Sequence, residues 1–289
     1  MEASSITIIG GDLRQCYAAE YLNARGYKVI CCHTPDFPYH SEIRQTDSIA
    51  QSLEHPSLVL APTPLTRDNV HLFQTEIYPS CGLEDLWNSL SADHIIAAHS
   101  LSGKYQELLK NIGCQTVIWG NFPLFQKENA RLTAEGLLAE VIRCTPFALS
   151  CANILLLGYG CCGKEIANTF LPLCQNIYLI EQDTVKINEA ESKSVSLIHE
   201  NDFSKLLPQC QIVINTVPAS ILKISQLTQL HSSCHIFDIA SAPFGFPSDT
   251  TEKCLLPYYR IPGIPGRFSP VNAGRIIGQT IERMTEHAL

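Results

Sequence analysis

Residues 154–163 run Ile-Leu-Leu-Leu-Gly-Tyr-Gly-Cys-Cys-Gly, an apolar stretch that leads into a G-x-G-x-x-G turn. The chemistry such a turn serves is the binding of a dinucleotide. Gly158 permits the tight turn out of a strand, Gly160 lets backbone amides approach a pyrophosphate, and Gly163 lets the next helix pack close to the sheet. Tyr159, Cys161 and Cys162 offer backbone amides to the same phosphates, and the helix aims its N-terminus at them. Residues 164–173 read as that helix, and 176–180 read as a second strand that runs into Glu181. An acid about 20 residues beyond the glycines is where the ribose hydroxyls are held. Glu181 is therefore the ribose acceptor, and its charge repels a 2′-phosphate. Neither Gln182 nor Asp183 supplies a compensating arginine, which favours NAD, with NADP as the alternative. S-adenosylmethionine, which uses a similar turn and acid, is the rival ligand. The non-binding alternatives are a glycine turn in some other α/β sheet and a merely solvated Glu181.

The elements that must position this turn are the strands of a parallel sheet, which bring ligands to their carboxyl ends. In the second half of the chain, apolar runs predict strands at 154–157, 177–181, 212–215 and 236–238, wound by right-handed crossovers. The stretch Asn215-Thr-Val-Pro218 follows one of them and Asp238-Ile-Ala-Ser241 follows another. Thr216, Val217 and Pro218 are expected to line the cofactor. Ala240 and Ser241 are expected at its nicotinamide end, where small residues let the backbone approach the ring. Asp238 either contacts the cofactor or satisfies loop amides as a cap.

The first half opens as a second βαβ unit. A strand at 6–9 is followed by Gly10-Gly-Asp-Leu-Arg-Gln15, a helix to residue 24 and a strand at 27–31. These glycines do not form G-x-G-x-x-G, and Asp12 and Arg14 suit the turn to a polar ligand. Further strands are expected at 58–61, 95–98 and 115–118. A helical pattern over 129–149, with Leu137, Leu138, Val141 and Ile142 on one face, is long enough to bridge two domains. The tail reads as a helix over 272–286 that packs back on the first domain. The domains are therefore 1–128 with 270–289, and 129–269.

At 289 residues the chain suffices for two α/β domains, and 45% apolar with 17% charged residues is a globular composition. No apolar run approaches the ~20 residues of a membrane span. The N-terminus enters a strand without the basic and apolar regions of a signal peptide, which predicts a cytoplasmic protein. A net charge of −8 argues against a nucleic-acid partner and for a small molecule or a protein. The 13 cysteines are odd in number, scattered and without a C-x-x-C. The pairs Cys31-Cys32 and Cys161-Cys162 do not suit a zinc geometry, so reduced thiols and no metal site are expected.

Taken together, Gly10-Gly-Asp-Leu-Arg-Gln15, Thr133-Ala-Glu-Gly136, the cofactor turn, Asn215-Thr-Val-Pro218, Asp238-Ile-Ala-Ser241 and Pro262-Gly-Ile-Pro-Gly266 resemble the A-type subunit of dipicolinate synthase over nearly the whole chain. Residues 10–15 and 262–274 carry most of the specificity. The resemblance implies an enzyme of spore-forming bacteria, working in the mother-cell cytoplasm with the flavoprotein-like B-type subunit of dipicolinate synthase. It implies that a nicotinamide cofactor takes a hydride from a dihydro- or hydroxytetrahydrodipicolinate, giving pyridine-2,6-dicarboxylate. The implied architecture is a flavodoxin-like substrate domain and a Rossmann NAD(P)-binding domain, both doubly wound, separated by a cleft. The chain departs from the family at Cys161, where Arg is frequent, at Val271, where Lys is common, and at Leu132, where Pro is usual.

A dicarboxylate substrate of this kind needs fixed cationic or amide donors, and arginine offers a planar two-point match. Arg14 and Arg267 are the candidates, each with a salt bridge as its structural alternative. In the loop His99-Ser-Leu-Ser102, Ser100 and Ser102 would give hydroxyls to a carboxylate. Loss of a proton calls for a base, and His99 and Glu135 are the candidates. Two other functions compete: a D-2-hydroxyacid or alanine dehydrogenase-like oxidoreductase on another substrate, and a non-catalytic NAD-binding module. His231, His235 and His287 stand in no loop suited to the first of these. A homo-oligomer is left open.

Overall fold

The apolar runs become the central strands of two parallel six-stranded sheets in the computed structural model, which describes residues 5–40, 42–75, 81–246 and 255–288. The chain divides into two units, one of residues 1–129 and 269–289 and the other of residues 130–268.

The sheet of the first unit holds β1 (Ser5–Ile9), β2 (Lys28–Cys32), β3 (Arg44–Thr46), β4 (Leu58–Leu60), β5 (Ile95–Ala98) and β6 (Gln115–Ile118), in the order β3-β2-β1-β4-β5-β6. Without β3 this is the flavodoxin-like order 2-1-3-4-5, and with it the order is that of a Rossmann sheet. Strand β3 is Arg-Gln-Thr at the sheet edge, paired only with β2, so no apolar run announces it. In either description the strand order reverses between β1 and β4, the place where such sheets open a ligand crevice.

Side chains alternate across the sheet. Ile6 and Ile8 of β1 enter one buried cluster with Leu22, Ile277 and Ile281, whereas Ile9 enters another with Val59, Ile96 and Leu109. Burial on both faces is why these strands read as continuous apolar runs. The helix Leu13–Ala24 packs against Pro270–Ala288. A Cβ on Gly274 would lie 2.5 Å from the Arg14 carbonyl oxygen, and one on Gly278 would lie 2.6 Å from the Tyr21 ring. Two missing side chains one turn apart thus let the helix backbones touch, and Tyr21 seals the contact by donating to Glu282 at 2.7 Å. The final helix begins at Pro270, slightly ahead of its apolar pattern, because proline is tolerated in a first turn.

The second unit repeats the plan with β7 (Asn153–Leu157), β8 (Asn176–Ile180), β9 (Ser196–Leu197), β10 (Ile212–Asn215), β11 (His235–Asp238) and β12 (Tyr258–Arg260), in the order β12-β11-β10-β7-β8-β9. Ile154 and Leu156 pack with Leu137, Val141 and Phe170, while Leu155 and Leu157 pack on the opposite face with Val213 and Ile236. Strands β9 and β12 are short edge strands that the apolar pattern does not reveal. The long helix runs Pro123–Cys144, earlier than the expected 129–149. Pro123 fits its first turn, and Pro146 disfavours helix at Thr145 and so ends it. Ile142, expected on the buried face, is 58% exposed instead. Among the described residues no helix is long and apolar enough to cross a membrane, and no group of His, Cys, Asp and Glu is spaced to hold a metal.

Candidate functional site

The glycine turn connects β7 to the helix Cys161–Phe170. That helix starts at Cys161 rather than at residue 164, because the last glycine of the motif is already helical. Gly158 has φ +88°, and a Cβ there would lie 2.5 Å from Val217 Cγ2 and 2.8 Å from Thr216 Oγ1. A Cβ on Gly163 would lie 2.2 Å from the Gly158 carbonyl oxygen. Both glycines are therefore demanded by the protein itself. Gly160 is different: nothing stands within 4 Å of where its Cβ would be. It is the N-cap of the helix and gives it no side-chain hydrogen bond, so the first-turn amides at Cys161, Cys162 and Gly163 face an open cradle. A pyrophosphate fits that donor set. Cys161 is exposed, whereas Cys162 packs against the core and burial pushes its thiol up to about 11. Tyr159 is fully buried beneath the turn.

Glu181, just past β8, accepts the backbone N–H of Tyr159 at 2.9 Å on one carboxylate oxygen and those of Gln182 and Asp183 at 2.8 and 3.1 Å on the other. Burial opposes its ionisation, but these amides and Lys186 outweigh burial and hold the carboxyl below its usual range. The acid is thus ionised and fixed beside the phosphate cradle, with lone pairs remaining for hydroxyl donors.

Beyond β10, the Thr216 hydroxyl donates to the Leu157 carbonyl at 2.9 Å, Val217 abuts Gly158, and Pro218 is exposed. Beyond β11, Ala240 is buried and Ser241 exposed. Asp238 has no exposure at all. Its carboxylate accepts four hydrogen bonds, from Asn215 Nδ2 at 2.9 Å, Ala240 N at 3.2 Å, Gly245 N at 3.1 Å and Tyr258 Oη at 2.9 Å. Of its two expected roles, the structure displays the satisfaction of loop amides rather than a surface for direct contact.

In the first unit, Arg14 sits just beyond β1, only 8% exposed. Its Nε and Nη2 fork onto the Asp12 carboxylate at 2.8 Å each, and Nη2 also donates to the Thr63 carbonyl at 2.7 Å. Asp12 is in turn the N-cap of the helix and forms a capping box with Gln15. His99, just beyond β5, sets its ring edge-on to Trp119 at 5.1 Å and Phe125 at 5.7 Å. Burial, and then the charge of Arg14, hold its pKa below the ordinary value, so the imidazole is neutral near pH 7. Ser100 and Ser102 are exposed in the same loop. The structure adds a feature of Gln15, from the first glycine turn, and two residues that motif reasoning passed over. Gln15 Nε2, Thr63 Oγ1 and Trp119 Nε1 are buried without a hydrogen-bond partner. Their only sequence signal is position, each lying shortly after β1, β4 or β6.

Residues 5–118 match the model of the N-terminal domain family of the dipicolinate synthase A-type subunit. The chain is similar to that A-type subunit. The corresponding dipicolinate synthase protein of Bacillus subtilis (strain 168) is 26% identical over 204 residues, 68% of each chain. The crystal structure of the A-type protein from Bacillus halodurans superposes with a TM-score of 0.86 at 21% identity, covering 97% of both chains. An L-alanine dehydrogenase has the same general fold, with a TM-score of 0.65 at 13% identity over 96% of this chain and 88% of that one.

Two further stretches that resemble the dipicolinate synthase family meet in the second unit. A Cβ on Gly136, in Thr133-Ala-Glu-Gly136, would lie 2.4 Å from Ile264 Cγ2 of Pro262-Gly-Ile-Pro-Gly266, so one motif packs upon the other. Arg267 lies just beyond and pairs with Glu140 Oε1 at 3.1 Å. Glu140 is 5% exposed and also receives Arg143, so Arg267 is engaged in neutralising a buried carboxylate. Glu135 lies on an exposed helix surface 3.5 Å from Arg131.

Proposed function

We propose that this chain catalyses the NAD-dependent oxidation of a dihydro- or hydroxytetrahydrodipicolinate to pyridine-2,6-dicarboxylate. The observation that carries this is the open cradle at Gly160 beside an ionised, amide-fixed Glu181, in a relative of dipicolinate synthase. The amides of residues 159–163 would hold the pyrophosphate and Glu181 the adenosine ribose. Thr216, Val217 and Pro218 would line the nicotinamide half, with Ala240 and Ser241 at its end, while Asp238 fixes those loops. When bound, the nicotinamide would supply a hydride acceptor.

The substrate's carboxylates call for Arg14, which is preoriented by Asp12, with Ser100 and Ser102 as hydroxyl donors and Arg267 only if it leaves Glu140. His99 is the better base, being half-buried and neutral, and it would take the ring proton lost as the hydride departs. Glu135, exposed and paired, is less suited. A hydroxylated precursor must also release water. That the relatives are named as one component of a synthase supports a B-type partner, and the family resemblance implies a mother-cell setting.

Calorimetric titration with NAD, NADP and S-adenosylmethionine, followed by pyridine-2,6-dicarboxylate on the NADH-loaded protein, tests the proposal. Saturable binding of NAD and then of the dicarboxylate is expected. Selective binding of S-adenosylmethionine would overturn it.

A further inference from the structure

We propose that Arg260 is a substrate-recognition residue, whose guanidinium holds a carboxylate at the nicotinamide end of the cofactor site. This rests on the oxidation proposed above and names a cation that neither the motifs nor the comparisons pick out.

Arg260 is the last residue of β12 and is exposed. Its Cζ lies 4.1 Å from the centroid of the Phe244 ring and 5.7 Å from that of Tyr258. Nε and Nη2 each donate to Tyr258 Oη at 3.2 Å, and Nη2 reaches the Phe246 carbonyl at 3.4 Å. Among the described residues it forms no ion pair with a carboxylate, and Nη1 has no hydrogen-bond partner. Among the described residues the charge is therefore oriented by aromatic faces and a phenol, with no carboxylate beside it. Burial pushes the Tyr258 hydroxyl up to about 12, so it keeps its proton, donates it to Asp238 at 2.9 Å, and turns its lone pairs to Arg260.

The platform beneath the guanidinium is built into the cofactor loops. Phe244 has φ +72°, a left-handed conformation that is strained for a bulky residue and persists only where its surroundings impose it. The next residue, Gly245, is pressed so closely on the loop after β10 that a Cβ would lie 1.8 Å from Asn215 Nδ2 and 3.0 Å from the Val217 carbonyl oxygen. Phe244 thus bends back just before the loop presses on Asn215 and the Val217 carbonyl, and its ring stacks against Arg260. In a sheet of this order the half formed by β10, β11 and β12 takes the nicotinamide. A flat guanidinium, stacked on an aromatic ring with donors left over, matches a carboxylate next to the carbon that loses its hydride.

The test compares wild type, Arg260→Gln and Arg260→Lys, each saturated with NADH, in calorimetric titrations with pyridine-2,6-dicarboxylate and with pyridine-2-carboxylate. Arg260→Gln is expected to lose about 10- to 100-fold in dicarboxylate affinity, the range for a charged hydrogen bond, with NADH affinity and Tm unchanged. The preference for the dicarboxylate over the monocarboxylate should collapse with it. Arg260→Lys, which keeps the charge but not the fork, should fall between; it serves alone should the Gln variant fail to fold. Equal dicarboxylate affinity in wild type and both variants would overturn the assignment to Arg260 and leave the functional proposal standing. A wild type that binds NADH but no dicarboxylate would overturn both.

Discussion

The backbone N–H of Tyr159 donates to the Glu181 carboxylate at 2.9 Å, so the acid after β8 is tied to the middle of the glycine turn after β7. In the proposed function this one carboxylate both shapes the phosphate cradle and receives the ribose, which would couple cofactor choice to turn geometry.

That coupling makes Glu181→Ala combined with Gln182→Arg informative. Removing the carboxylate deletes the ribose acceptor and the repulsion of a 2′-phosphate, and the arginine supplies a partner for it. NAD affinity should fall, at ~1.5–3 kcal/mol for a charged hydrogen bond, while NADP affinity rises relative to it. Fluorescence titration with NADH and NADPH checks this. An unaltered ratio would reduce Glu181 to a turn anchor.

The motif glycines should separate by mechanism. Gly163→Ala places a Cβ against the Gly158 carbonyl at 2.2 Å, so it should lower Tm and cofactor affinity together. Gly160→Ala meets nothing within 4 Å, so its Tm should stay put while NADH binding weakens because the methyl occupies the cradle. Thermal unfolding with and without NADH distinguishes the two. Equal NADH stabilisation of wild type and Gly160→Ala would mean that no phosphate passes there.

Asp238→Asn keeps the shape of a buried side chain but turns an NH2 group toward donors that now meet a carboxylate oxygen. A loss of ~1–3 kcal/mol is expected in denaturant unfolding, the range for leaving a buried donor unsatisfied. Cofactor affinity measured well below the unfolding midpoint should change much less. A variant of native stability that no longer binds NADH would instead return Asp238 to direct contact.

Arg14 and His99 should be linked through pH. The Arg14 charge helps hold the His99 pKa down, so the wild-type rate should be level near neutrality and fall only as pH drops below the ordinary histidine value of about 6.5. Arg14→Ala removes that charge, and the acid limb of the kcat profile should move to higher pH. The same variant should raise KM about 10- to 100-fold through the lost charged hydrogen bond. A profile that does not move, with KM unchanged, would give Arg14 to helix capping alone.

The central strands and the glycine turn were legible because burial on both sheet faces writes long apolar runs, and because Gly158 and Gly163 meet constraints within their own unit. The edge strands were not: Arg44–Thr46 and Tyr258–Arg260 carry no apolar run and exist through pairing with a neighbour. Ile142 shows the limit of helical periodicity, since the pattern groups it with Val141 but cannot say how wide the buried stripe is. Asp238 could be placed at a strand end but not assigned, because its role depends on Tyr258 and Gly245, which reach it from other segments. Thr63 and Trp119 were invisible for the same reason.

The most direct test is turnover: freshly generated hydroxytetrahydrodipicolinate and NAD, with NADH and pyridine-2,6-dicarboxylate followed together, in the presence and absence of the B-type partner. NADH and pyridine-2,6-dicarboxylate should appear in equal amounts. NAD binding without either product, with that partner present, would contradict the assignment and leave a dehydrogenase fold acting on another substrate or on none.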